Sequence, residues 1–304
     1  MRYAIIGTGA IGGYYGSQLV KAGKDVHFLL NSDYEYVRQH GLQIDSCRGS
    51  YHLDGINAYH SAMDMPKCDI VIVALKSTNN HLLASILPPL LHPKTLVLLI
   101  QNGIGVEADL QSQFPNLYIA AGLAFICSGK IGKGHIDHQS NGSINIGNYS
   151  CKDPKIINNM MQDFTSSDIK TTLVEYEEAR WKKAVWNMPY NGLTVALNTT
   201  TDQLMANPKT AHLIKAMMME VIGAAQAQGV ANIDESFADK MIAMTLKMPP
   251  YSPSMKLDYD HHRPMEIHYL YTRPIEEAHK AGYKMPKLEM LEAELMFIEE
   301  REKR

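Results

Sequence analysis

The string Gly7-Thr8-Gly9-Ala10-Ile11-Gly12 spaces three glycines as a backbone cradle for a pyrophosphate would require. An apolar, β-prone run from Tyr3 to Ile6 precedes it and an amphipathic segment to Leu19 follows, so the glycines fall at a strand-to-helix turn. In that place Gly7 permits the tight turn, Gly9 admits phosphates to the backbone, and Gly12 lets helix pack on strand. The helix start at Ala10 and Ile11 adds N–H groups and a partial positive charge. A turn that only packs is the competing reading, and the parallel-type sheet pattern downstream favours a nucleotide.

The tip of the second strand, Leu30-Asn31-Ser32-Asp33, is where such folds distinguish a ribose from a 2′-phosphate. Asn31 and Ser32 can hydrogen-bond either group. Asp33 would favour NAD if turned inward and is otherwise a helix cap. Lys76 follows the strand 69–75, at the carboxyl edge of the sheet, where it either pairs with a phosphate or is a solvated loop lysine.

A second constellation lies in 180–191, where Lys183, Asn187 and Asn191 recur every four residues and share one face of a helix. Both tryptophans, Trp181 and Trp186, flank that face. This predicts a partly buried site, against the alternative of a solvated stripe. Pro189 removes a helical hydrogen bond and is expected to kink the helix. Farther on, the segment from Tyr251 opens like a loop into a helix or turn, and Glu266 is a natural anionic partner for a buried lysine, against the commoner alternative of a surface acid. His261, His262 and His268 lack metal-ligand spacing, so no metal is expected.

These groups need elements to hold them. Continuous apolar runs at 69–75 and 95–100 have the composition of parallel strands buried on both faces. Helical stretches are predicted at 33–40, 79–87 and 106–113, and antiparallel strands with turns across 130–149. From about Val174 strand patterns give way to long Ala-, Met-, Leu- and Glu-containing helices. The expected architecture is an α/β N-terminal Rossmann-type dinucleotide-binding domain, 1–173, followed by an all-α C-terminal substrate and catalytic domain, 174–304.

The chain's 304 residues suit two domains, and 45% apolar with 20% charged residues is the composition of a globular protein. Lys and Arg total 29 against 32 Asp and Glu, a net charge of -3, so no global field attracts nucleic acid or an anionic membrane. No apolar run approaches the roughly 20 residues of a spanning helix, and the first residues do not read as a secretion signal, so a cytoplasmic protein is expected. Cys47, Cys68, Cys127 and Cys151 are too scattered for a zinc site or a disulfide framework.

Taken in order, these segments resemble the ketopantoate reductase family over essentially the whole chain. The resemblance implies NADPH bound at Gly7, Gly9 and Gly12, with Lys76 near the adenosine 2′-phosphate. It matches Gln101-Asn102-Gly103-Ile104-Gly105 to the family's Q-N-G-x-G and implies that Asn102 serves cofactor and substrate. It makes Lys183, between Trp181 and Asn187, the catalytic lysine, with Glu266 holding it or the new hydroxyl. Asn187, Asn191 and Ser254 would orient a 2-oxo acid, and Asp258 and Arg263 complete the matched segment. Asn31 stands where the family usually has arginine, which admits NAD as alternative cofactor, and Pro189 stands ahead of a proline that relatives carry near Gly192. The implied reaction is NADPH-dependent reduction of 2-dehydropantoate, in pantothenate biosynthesis. The alternatives are an NAD-dependent 2-hydroxyacid dehydrogenase acting on another 2-oxo acid, and a non-catalytic NAD(P)-binding sensor. A homodimer is left open.

Overall fold

The computed structural model describes residues 1–302. The chain forms two units: Met1–Gln101 with Val106–Tyr176, and Asn102–Gly105 with Glu177–Arg304. Residue 173 falls inside the last strand of the first unit.

The first unit runs β1 (Arg2–Ile6), α1 (Ala10–Lys21), β2 (Asp25–Leu29), α2 (Tyr34–His40), β3 (Leu42–Ser46), β4 (Tyr51–Leu53), β5 (Asn57–Tyr59) and β6 (Ile70–Val73). It continues through a 3-10 turn (Ser77–Leu82), α3 (Leu83–Ile86), β7 (Leu96–Leu99), α4 (Val106–Gln113), β8 (Tyr118–Gly132), β9 (His135–Asn148), α5 (Pro154–Ser166) and β10 (Thr171–Val174). The strands make one mixed sheet in the order β4-β3-β9-β8-β7-β6-β1-β2-β5, with β10 beside β9. From β5 to β8 every pairing is parallel, and β8 pairs antiparallel with β9. Strands β6 and β7, IVIV and LVLL, are buried at every position, which is why no polar alternation marks them.

The strand order reverses direction at β1, with β2 on one side and β6 on the other, and in open parallel sheets such a switch point opens a crevice at the carboxyl ends. The glycine turn after β1 and Lys76 after β6 both lie there. Gly12 and Gly16 let α1 lie close on this part of the sheet. A Cβ on Gly12 would come within 2.2 Å of the Gly7 carbonyl oxygen, and one on Gly16 within 2.5 Å of the Phe28 ring.

The second unit contains α6 (Tyr176–Ala196, from Glu177 onward), α7 (Thr201–Ala206), α8 (Pro208–Ala227), α9 (Glu235–Thr245), α10 (Ser254–Asp260), a π-helical turn (His268–Thr272), α11 (Arg273–Lys280) and α12 (Pro286–Glu302). Val185, Met188, Met217, Val221, Leu270, Leu288 and Leu291 belong to its core. Buried Glu220 of α8 accepts the first-turn N–H groups of Lys287 at 3.0 Å and Leu288 at 3.2 Å, which pins the otherwise orphaned start of α12. Helix α6 continues through Pro189 to Ala196 rather than ending there. No described helix is long and apolar enough to cross a membrane.

Gly12→Ala should destabilise the first unit by about 1–3 kcal/mol, because the added methyl meets backbone that cannot yield. Urea unfolding followed by circular dichroism measures it, and an unchanged midpoint would refute the packing role.

Candidate active site

In the first unit each glycine of the turn has its own reason. Gly7 has φ +92°, and a Cβ there would stand 2.6 Å from the Leu75 amide nitrogen, so the turn is pressed against the chain just before Lys76. Gly12 is required by packing, as above. Gly9 differs: no atom lies within 4 Å of where its Cβ would be. Nothing in the fold uses that space, and Gly9 is the N-cap of α1 with no side-chain capping bond. Open space over a helix N-terminus fits the approach of a pyrophosphate. The hydroxyl of Thr8 donates to the Leu29 carbonyl at 3.2 Å and ties the turn to the end of β2. Ala10 and Ile11 begin α1, and Lys76 is half-buried at the start of the 3-10 turn after β6.

At the tip of β2, Asn31 and Ser32 are exposed. Of the two expectations for Asp33, the helix-cap position is the one the structure shows, although its side chain makes no cap bond and is spent elsewhere. It stands at the N-cap of α2 without a side-chain cap bond, only 5% exposed, and its carboxylate accepts from the Gly134 N–H at 2.9 Å and Lys130 Nζ at 2.6 Å. Burial alone would raise its pKa, but the bonds from Lys130 and Gly134 prevail and hold it below the usual carboxylate range.

In the second unit, Lys183 sits on α6 in a crevice lined by Gly103, Ile104, Arg180, Asn187, Tyr269 and Leu270, among others. Lys183 is half-buried as a residue, and the protein packed around its amine lowers its pKa from 10.5 to about 7. Burial is the main cause, the Arg180 guanidinium lowers it further, and the Glu266 carboxylate opposes them. Arg180 is 3% exposed and Glu266 is 4% exposed. A lysine in this setting can deliver a proton near neutral pH, and the neighbouring cation makes the crevice hospitable to an anion.

The remaining predicted residues divide by what they touch. Asn187 lines the crevice. Asn191, 2% exposed, donates to the Asn187 carbonyl at 3.0 Å, and its oxygen accepts the Met255 N–H at 3.0 Å and the Ser254 hydroxyl at 3.5 Å. It fastens the start of α10 to α6, so Ser254 is carried by Asn191. Asp258 is buried and paired with Arg263 at 3.0 Å. Asn102 begins the short segment 102–105, which packs within this unit. The Ile104 N–H donates to the Tyr269 carbonyl at 3.0 Å, and a Cβ on Gly103 would come within 2.3 Å of that same oxygen. Arg180, Ile104 and Tyr269 were not foreseen. The only sequence signal was that Arg180 precedes Lys183 by three positions, which places it on the same helical face.

The histidines near this region do not converge. His261 bonds the Leu257 carbonyl and His262 reaches Glu302. Among the described residues no group of three or more His, Cys, Asp or Glu side chains could hold a metal ion.

Residues 3–150 match the family described as Ketopantoate reductase PanE/ApbA, and residues 175–299 match its C-terminal counterpart. A 2-dehydropantoate 2-reductase of Nostoc sp. (strain PCC 7120) is 46% identical over 99% of this chain and 96% of that protein. The crystal structure of a 2-dehydropantoate 2-reductase from Geobacter metallireducens superposes with a TM-score of 0.94 at 34% identity, covering 97% of this chain and 99% of that one. A D-mandelate dehydrogenase solved with NADH and anilino(oxo)acetate shares the fold, with a TM-score of 0.89 at 21% identity over 100% and 99% of the two chains.

Gly9→Ala separates fold from ligand. Its stability should stay within about 1 kcal/mol of wild type, the scale of an N-cap change, because the methyl enters empty space. Nicotinamide dinucleotide binding, titrated by fluorescence quenching, should weaken severely. Undiminished binding would remove Gly9 from the phosphate site.

Proposed function

The chain belongs to the ketopantoate reductase family of oxidoreductases, and from that premise we propose that it reduces 2-dehydropantoate to pantoate with NADPH, using Lys183 as general acid. Such a reaction has its place in pantothenate biosynthesis. The residues that would hold the dinucleotide are Gly7, Thr8, Gly9, Ala10, Ile11 and Gly12 around the pyrophosphate, with Asn31, Ser32 and Lys76 toward the adenosine phosphate. Asn102 would serve both dinucleotide and substrate. When bound, the reduced dinucleotide supplies a hydride to the C2 ketone of the 2-oxo acid.

The observation that carries the proposal is the Lys183 ammonium, held in a water-poor crevice with a pKa of about 7. As C2 is reduced, negative charge grows on the carbonyl oxygen, and Lys183 meets it with an N–H donor and then gives up the proton. Near-neutral acidity makes that transfer downhill toward an alkoxide while leaving the lysine protonated in a useful fraction of molecules. Glu266 favours the charged form, partly opposing the larger effects of burial and Arg180. Asn187 would orient the substrate hydroxyl and carboxylate, and Asn191 would act with Ser254.

One observation favours a second reading. Asn31 supplies no positive charge at the β2 tip, which suits an NAD-dependent 2-hydroxyacid dehydrogenase working on another 2-oxo acid. Following nicotinamide absorbance with NADPH and NADH in parallel, against ketopantoate and a panel of 2-oxo acids, separates the two. Turnover of ketopantoate with NADPH supports the first reading, and turnover confined to NADH or to other oxo acids supports the second.

Lys183→Ala should lower kcat by at least ~100-fold with an unchanged circular dichroism spectrum. A variant that keeps most of its kcat would exclude Lys183 from the chemistry. Because the acid must carry its proton, the wild-type reduction rate should fall as pH rises through about 7. Glu266→Gln, which removes the group that raises the lysine, should move that limb to lower pH. A rate flat up to the ordinary lysine range would contradict the assignment.

A further inference from the structure

At the end of the second strand of a doubly wound sheet, an accessible acid accepts the ribose hydroxyls of NAD and repels the 2′-phosphate of NADP, while a cation there does the reverse. This chain has an acid in that neighbourhood, Asp33, and no arginine beside it. The acid is nevertheless sequestered. Its carboxylate is turned toward the β8–β9 hairpin, where the Gly134 N–H donates at 2.9 Å and Lys130 Nζ at 2.6 Å.

The arrangement is built into the fold. Gly134 lies in the turn between β8 and β9 with φ +60°, and a Cβ on it would stand 2.9 Å from the Val37 side chain and 3.0 Å from the Gly41 carbonyl oxygen. The hairpin turn is therefore pressed against α2, the helix that Asp33 begins. The Asp33 side chain is 7% exposed and that of Lys130 is 34% exposed, so the acid is nearly closed to solvent while the lysine side chain that covers it is partly exposed. Ser32 also turns its hydroxyl toward Asp33, at 3.2 Å. The neighbouring charges on α2, Arg38 and Glu35, pair with each other at 3.2 Å. The β2 tip thus offers two exposed neutral hydrogen-bonding side chains, Asn31 and Ser32, while its own acid, Asp33, is closed off, and the exposed Glu35 of α2 is paired with Arg38.

We propose that the Asp33–Lys130 pair sets the cofactor selectivity of this protein: Lys130 and the Gly134 N–H neutralise and withdraw the acid that would otherwise reject a 2′-phosphate at the β2 tip. The inference rests on the dinucleotide reading above and gives its NADPH preference a cause. Asp33 is a positioning residue in this scheme, since its withdrawal is what leaves the edge free of negative charge.

The test is the ratio of dissociation constants for NADPH and NADH, measured by fluorescence titration of the full-length protein. Lys130→Met should weaken NADPH by ~10-fold, the scale of one uncompensated carboxylate charge facing the 2′-phosphate, while NADH stays within ~2-fold. Retained NADH binding reports that the variant is folded. Adding Asp33→Asn to Lys130→Met should recover part of the NADPH affinity, and Lys130→Arg should keep the wild-type ratio. Equal weakening of both nucleotides, or an unchanged ratio in Lys130→Met, would overturn the selectivity role. Wild-type protein that binds neither nucleotide would overturn the dinucleotide reading itself, and this inference with it.

Discussion

A charged lysine held where water is scarce is the constraint on which the second unit turns. The ordinary preference of an ammonium for water is opposed at Lys183 by burial and by the Arg180 guanidinium, with Glu266 partly compensating. A group whose folded pKa lies below its unfolded value binds its proton less readily when folded. Between about 7 and 10.5 the unfolded chain holds the proton and the folded chain does not, so stability rises with pH across that window. At neutral pH and below, Lys183 is a cost to the fold. In the proposed reaction that cost would serve catalysis, because the same desolvation turns a weak acid into one matched to neutral conditions.

The rest of the unit holds that group in place. Helix α6 passes through Pro189 without stopping, and one of its faces carries buried Arg180 and Asn191 with half-buried Lys183 and Asn187 between them. Asn191 spends its amide on the Asn187 carbonyl and on the start of α10, which brings Ser254 to the same face. The segment 102–105 is locked by the Ile104 bond to the Tyr269 carbonyl, and only a glycine at 103 permits so close an approach. The first unit meets a different requirement with comparable economy. Two glycines of its turn are needed by packing, and Gly9 leaves open space over the start of α1, where the proposed dinucleotide would place its pyrophosphate.

Much of this was legible in the sequence because the relevant physics is local. A glycine spacing between a strand and a helix specifies a turn, continuous aliphatic runs specify buried parallel strands, and a four-residue recurrence places Lys183, Asn187 and Asn191 together. What escaped depends on distance along the chain. Strands β4 and β5 are three residues each and too short to show alternation, and β10 follows a helix with only four residues of pattern. The orientation of Asp33 could not be read because Gly134, which holds it, is 101 residues away. Beyond its spacing from Lys183, nothing in the local pattern marks Arg180, whose burial on the helical face of Lys183 depends on tertiary packing. Asn191 was identified by spacing as part of the site, but its contacts with α10 emerged only from tertiary structure.

The central claim is that Lys183 is an acid poised near neutrality. The most direct measurement is an NMR titration of the protein with 13C-labelled lysine ε-carbons, with Lys183→Arg to assign the signal. The account predicts one resonance titrating near 7 that disappears in the variant. Titration of every lysine in the ordinary range above about 10 would contradict it.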